Sequence, residues 1–185
     1  MNEQKYADIP IDGDVIKLPI VQMSNGVTID FFNPYDVKLM AQLMPKILER
    51  INKIGVDRID TIIVPATKPI PIAWYVAYTL HKDLVVIEKN IKPYHTNISL
   101  FKAKSITSNE VNRFFVKGED IEKIKNKNVL FLDDVVSTGA TYAACKEFLT
   151  HNMECKSFKS LFVFKEGDSF TLDEDASYIG YIPFG

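Results

Sequence analysis

Asp133 and Asp134 are adjacent carboxylates that follow an apolar run, Val129-Leu130-Phe131-Leu132, and precede a turn of small residues, Ser137-Thr138-Gly139-Ala140-Thr141. An ionised carboxylate accepts hydrogen bonds and cannot donate them. Two side by side suit vicinal sugar hydroxyls or a hydrated cation. The turn offers the opposite chemistry. Backbone N–H groups at a helix N-terminus converge on an anion, and the helix dipole favours negative charge there. Gly139 allows close backbone approach, and Thr138 and Thr141 add hydroxyl donors. One ligand satisfies both halves: a ribose whose 5-phosphate lies in the turn and whose 2- and 3-hydroxyls face the acids.

Periodicity outlines the elements that must hold these groups. The apolar run reads as a buried parallel strand, and Tyr142 to His151, with Ala144, Phe148 and Leu149 at helical spacing, as a helix starting near Ala140. The acids then stand at the carboxyl end of a strand, where open α/β sheets bind ligands. Upstream, Val15 to Val21 and Val27 to Phe32 are β-prone runs around Ser24-Asn25-Gly26, a hairpin signal. Asn33-Pro34 predicts a helix start, with Asn33 as N-cap and Pro34 at the first helical position. Val37, Met40, Met44, Ile47 and Ile51 mark that helix's buried stripe, and Pro45 predicts a kink in it.

Thr61 to Val64 reads as a central strand, Ile70 to Leu80 as a helix and Leu84 to Ile87 as a strand, with later strands at Ser157 to Phe164 and Tyr178 to Ile182. This alternation implies an α/β fold: a central, mainly parallel sheet flanked by helices. Ile98 to Lys102 and Glu110 to Val116 read as an antiparallel hairpin with a polar, mobile tip, Ser105 to Asn109. Pro65-Ala66-Thr67-Lys68-Pro69 lies between a central strand and a helix. It is therefore a second anion site by the same geometry, and Lys68 offers it a cation.

Composition narrows the class. The chain has 185 residues, 46% hydrophobic and 25% charged, which fits one soluble globular domain spanning 1–185. A net charge of −2 gives no broad basic field for nucleic acid. No apolar run approaches membrane-spanning length, and the polar, acidic N-terminus lacks a signal-peptide pattern, so a cytoplasmic location is expected. Cys145 and Cys155 are expected as free thiols, and His81, His95 and His151 are isolated, without metal-ligand spacing.

The stretch Val129 to Thr141 closely resembles the signature of the type I phosphoribosyltransferases: four hydrophobics, two acids, two hydrophobics, a variable residue, then Thr-Gly-x-Thr. That family binds phosphoribosyl pyrophosphate (PRPP) and transfers its ribosyl phosphate to a base. Ala66 to Ala73, the strand end at Glu88-Lys89 and Ser105 to Asn109 also resemble a subgroup containing xanthine phosphoribosyltransferases and the PRPP-binding domain of a purine-operon repressor.

The resemblance implies roles for particular residues. Ser137, Thr138, Gly139, Ala140 and Thr141 would hold the 5-phosphate, and Asp133 and Asp134 the ribose hydroxyls, with Lys89 completing the catalytic set. Ala66, Thr67, Lys68 and Lys89 would bind pyrophosphate, although Pro69 and Glu88 depart from the family's usual residues. Mg²⁺ would be carried by PRPP rather than by a protein cage. Residues 89–116 would form a flexible catalytic loop that closes over PRPP, while about 1–35 and the C-terminal segment would build a hood over the base. Phe31 and Phe32 are the candidate rings for stacking on that base. Hypoxanthine–guanine enzymes usually place an aspartate where this chain has Ser137. A serine there leans toward adenine, in a homodimeric enzyme of purine salvage. The alternatives are a non-catalytic PRPP-binding regulator, or transfer to xanthine, guanine or orotate.

Overall fold

A computed structural model describes residues 4–22, 28–30, 32–88, 91, 98–104 and 111–183. Five strands form the parallel heart of the sheet: β4 (Thr61–Pro65), β5 (Asp83–Ile87), β8 (Asn128–Val136), β9 (Ser157–Glu166) and β10 (Ala176–Ile182). Their spatial order is β10-β9-β8-β4-β5, every neighbouring pair parallel. The second strand of this set thus lies on one side of the first and the third on the other, so the strand order reverses between β4 and β8. A crevice opens at such a reversal, outside the carboxyl ends of the strands.

Three further strands, β1 (Tyr6–Ile11), β2 (Asp14–Gln22) and β3 (Thr28–Asp30), extend the sheet beyond β10 in antiparallel fashion. β2 and β3 pair as the hairpin signal requires, and the turn between them lies outside the described residues. β1 is a strand that the polar N-terminus did not suggest. Its signal is the alternation of Ala7, Ile9 and Ile11, whose side chains turn toward the core.

Helices cover both faces. On one, α1 (Val37–Ile54) and α2 (Ile70–Leu80) pack Leu43, Ile47, Ile51 and Val76 against Ile62, Val64, Leu130, Leu132 and Leu161. On the other, α3 (Ala140–Glu147) and the π-helical turn that continues it, Phe148–Asn152, pack Tyr142, Cys145 and Phe148 against Ile63, Phe131, Phe158 and Phe162. Successive residues of β4 and β8 thereby serve opposite cores, which explains why these strands are apolar without alternation.

α1 begins at Val37 rather than at Pro34. Asp36 is its N-cap, accepting from the backbone N–H groups of Lys38 and Leu39 at 2.9 and 3.2 Å. Asn33 instead receives the Tyr35 N–H at 3.0 Å, forming a turn just before the cap. The helix continues through Pro45 to end at Gly55, in the left-handed region.

The hairpin of β6 (Ile98–Lys104) and β7 (Val111–Lys117) is antiparallel, as expected. Its base is joined to the end of β5 by reciprocal backbone bonds between Glu88 and Phe115, 3.0 and 2.9 Å, and by the Lys117–Glu88 ion pair at 3.2 Å. Glu88 is thus committed to anchoring the hairpin. The hairpin tip at 105–110 and Lys89 lie outside the described residues. Among the described residues no helix is long and apolar enough to cross a membrane.

Candidate active site

The crevice between the carboxyl ends of β4 and β8 collects the chemistry. β8 carries Asp133 and Asp134, 8% and 9% exposed, just past Phe131, its last partner on β4, while its pairing with β9 continues to Val136. Asp133 accepts the backbone N–H of Asp134 at 2.8 Å, which fixes the first carboxylate against its own strand. Asp134 reaches across the reversal point to Lys68, 3.1 Å away on the loop after β4. The Lys68 ammonium also stands 5.4 Å from the centre of the Phe32 ring. The loop itself is tied down by the Ala66 N–H, which donates to the Ile87 carbonyl at 2.7 Å, and its Ala66–Thr67 peptide is cis. Pro69 is the residue before α2, with Ile70 bonded back to the Thr67 carbonyl at 3.3 Å.

Next to the acids, Ser137 to Thr141 wrap a small cavity of about 80 Å³ that Asp133 also lines. Gly139 has φ +71° and precedes α3 directly, so the turn needs the left-handed conformation that glycine adopts without strain. A second constraint was not visible from the turn alone. A Cβ on Gly139 would lie 2.5 Å from the Phe170 ring, which rests on this glycine.

Phe170 belongs to a segment between β9 and β10 that sequence reasoning passed over, because 167–175 is polar and without period. Within it the Ser169 hydroxyl donates to the Ser137 carbonyl at 3.1 Å. The Tyr142 hydroxyl, in the first turn of α3, donates to the Asp173 carboxylate at 2.8 Å. Lys146 bridges Asp173 and Asp175, both at 2.9 Å, and Lys159 holds Asp175 at 2.9 Å. Burial and the Asp173 hydrogen bond push the Tyr142 phenol up to about 12. Burial alone would lower the Lys146 ammonium, but its hydrogen bonds to Asp175 and Asp173 outweigh that and raise it. Burial alone would raise Asp173; its bonds from Lys146 and Tyr142 win and hold it below the usual carboxylate range. Through the neutral range, therefore, Tyr142 stays a neutral hydroxyl donor while Lys146 and Asp173 stay charged.

Phe32 does not stand open to a ligand. It is 2% exposed, and its ring packs edge-on against Phe164 at 5.0 Å, so it is a core residue with no free face for a base. Phe31 lies outside the described residues. A cation that the sequence did not single out sits at the carboxyl end of β9. Lys165 donates to the Gly167 carbonyl, pairs with Asp168 at 3.4 Å and lies 5.2 Å from the Tyr181 ring centre, its side chain only 12% exposed.

The comparisons with known proteins agree with this geometry. The phosphoribosyl transferase domain matches residues 35–181, and the chain belongs to that family. An adenine phosphoribosyltransferase from Thermoanaerobacter pseudethanolicus shares the fold at TM-score 0.67 and 17% identity, over 86% of this chain and 90% of that one. The Saccharomyces cerevisiae adenine phosphoribosyltransferase, solved with an imino-altritol bisphosphate and adenine, matches at TM-score 0.65 and 18% identity, over 79% of this chain and 84% of the other. In sequence, HGPRTase-like protein 2 of Halalkalicoccus jeotgali is 31% identical over 103 residues, covering 56% of this chain and 51% of the relative. The chain thus spans about half the length of that relative.

Proposed function

We propose that this chain is a purine phosphoribosyltransferase: PRPP and a purine base, adenine first among them, give the nucleoside 5-monophosphate and pyrophosphate in cytoplasmic purine salvage. The observation that carries the reading is the Lys68–Asp134 ion pair, which spans the strand-order reversal beside the Ser137–Thr141 turn. It joins a cation to a pair of buried carboxylates, the first of which, Asp133, also lines the cavity of that turn.

In this reading Ser137 to Thr141 hold the 5-phosphate through backbone N–H groups and hydroxyls. Asp133 and Asp134 accept the ribose hydroxyls. As pyrophosphate leaves C1, positive charge builds on the ribose, and both carboxylates lie where it develops. At an effective dielectric of ~20, a full unit charge 4 Å from a carboxylate is worth about 4 kcal/mol. Lys68, with Ala66 and Thr67, faces the departing pyrophosphate and cancels part of its charge. The donor set suits Mg²⁺ bound through substrate: Asp133 and Asp134 are hard oxygen donors. When bound, the ion neutralises pyrophosphate as a leaving group.

Lys165 supports a second reading of the base. An ammonium only donates, so at the carboxyl end of β9 it suits the carbonyl of a 6-oxopurine better than the amino group of adenine. The HGPRTase-like names of the curated relatives lean the same way. Turnover of PRPP and Mg²⁺ with adenine, hypoxanthine, guanine, xanthine and orotate, each in turn, separates the readings. Adenine is expected to react fastest. Preference for a 6-oxopurine would move the assignment to that class, and no turnover with any base would end the enzyme reading in favour of a PRPP-binding regulator.

We also propose that the chain functions as a homodimer through the outer face of α1 and α2. The eleven residues of α2 include no charged side chain, yet Trp74 and Tyr78 are 58% and 68% exposed, their rings stacked at 5.4 Å. Beside them lies an apolar groove of about 780 Å³ lined by Tyr35, Met40, Met44, Leu48, Pro71 and Tyr75. A projecting pair next to a recess on one face is what an isologous interface needs, since each copy's rings can enter the other's groove. Stable interfaces typically bury ~800 Å² per partner, and aromatic side chains at about 150–250 Å² each contribute heavily to such a face. Sedimentation at micromolar protein should show a dimer, and Trp74→Glu with Tyr78→Glu should give a folded monomer. A wild-type monomer would refute the assignment.

A further inference from the structure

The anion cradle is under-determined by its own sequence. Gly139 is free to take either sign of φ, α3 starts without a side-chain cap, and the bond from the Ala140 N–H to the Thr138 hydroxyl within the turn is long, at 3.5 Å. Something else must hold Ser137 to Ala140 in the receiving conformation. The segment 167–175 does so from outside. It is pinned at its start by the Gly167 N–H to the Ile182 carbonyl, 2.8 Å, and at its end by Asp175, whose carbonyl receives the Ser160 N–H at 2.8 Å. Asp173 and Asp175 fasten it to α3 through Tyr142 and Lys146. Between these anchors it touches the cradle twice, at Ser169 on the Ser137 carbonyl and at Phe170 on Gly139.

We propose that Phe170 is a positioning residue for the anion cradle: its ring, carried by the 167–175 strap, holds the turn at Gly139 in the conformation that receives a phosphate. The ring also meets Tyr142 edge-on at 5.9 Å, so it locks the turn and the first helical turn after it as one unit. A binding loop fixed before its ligand arrives avoids the ordering cost of closure. Phe170 itself supplies no donor, and acts only through the backbone beneath it. This inference rests on the 5-phosphate assignment of the same turn.

Equilibrium titration of the full chain with two probes, ribose 5-phosphate and inorganic pyrophosphate, tests it. Phe170→Ala should weaken ribose 5-phosphate about 10-fold (1.4 kcal/mol) and leave pyrophosphate within a factor of two. In turnover the KM for PRPP should rise while kcat holds, and Phe170→Tyr, which keeps the ring, should restore the affinity. Ser169→Ala removes only the bond to the Ser137 carbonyl. It should give a smaller loss in the same direction, and it stands in if Phe170→Ala does not fold. Unchanged ribose 5-phosphate affinity in folded Phe170→Ala, or in Ser169→Ala where Phe170→Ala does not fold, or equal loss of both probes, would overturn the proposal and leave the cradle assignment intact. Failure of the unaltered chain to bind ribose 5-phosphate would overturn the cradle assignment and the proposal with it.

Discussion

Replacing both acids, Asp133→Asn with Asp134→Asn, should reduce phosphoribosyl transfer at least ~10⁴-fold while the protein stays folded. Each preorganised charge-stabilising group in a water-poor site is typically worth about 10²–10³ in kcat, and on the proposed reading two would act on one developing cation. The carboxylates are 8% and 9% exposed, so little solvent screening dilutes them. The fold should tolerate the change. Asn keeps the shape and an acceptor oxygen, so the bond from the Asp134 backbone N–H to residue 133 survives. Lys68, whose side chain is 40% exposed, can turn to water when its anionic partner is neutralised. The measurement is single-turnover rate together with thermal unfolding. A double variant that retains transfer within tenfold would remove the acids from the reaction; one that loses its folded signal would show that the pair is structural first.

Gly139→Val should abolish measurable 5-phosphate binding. Two effects compound. The left-handed conformation at φ +71° costs a residue with a Cβ about 1–2 kcal/mol, and a β-branched one more. The new Cβ also falls 2.5 Å from the Phe170 ring, well inside contact distance. The turn must then open or the ring must leave, and either misaligns the N–H groups. Gly139→Ala is the gentler probe, and adding Phe170→Ala to it should return part of the affinity by removing the collision, leaving the φ penalty. Calorimetry with ribose 5-phosphate distinguishes the cases. Equal affinities in wild type and Gly139→Val would show that the phosphate binds elsewhere.

Much of this arrangement was legible in the sequence, for physical reasons. α2 was bounded correctly at both ends, and β4 and β8 read as buried strands, because an unbroken apolar run is the signature of a strand covered on both faces. The adjacency of the acids to the turn follows from chain order alone. The meeting of Lys68 with Asp134 does not, since it depends on β4 and β8 being neighbours across a reversal in strand order. Local rules misled where two caps competed. Asn33-Pro34 has the composition of a helix start, but Asp36 is placed to cap two backbone N–H groups, and the helix begins after it. Phe32 failed as a stacking ring because large apolar rings are more often claimed by the core than by a ligand. The strap at 167–175 left no periodic signal at all, for its order comes from ion pairs with residues distant in sequence.

The stacked Trp74–Tyr78 pair has one more consequence. Trp74 is the chain's single tryptophan, so all indole fluorescence originates at one point on the outer face of α2. Emission from an indole 58% exposed lies to the red, and it should move to the blue as a second copy covers it. The same helix begins two residues after Lys68, so a shift of that loop on ligand binding should change the surroundings of the fluorophore. Dilution at fixed ligand therefore reads association, and pyrophosphate added at fixed protein reads the loop, in a single cuvette and without a label.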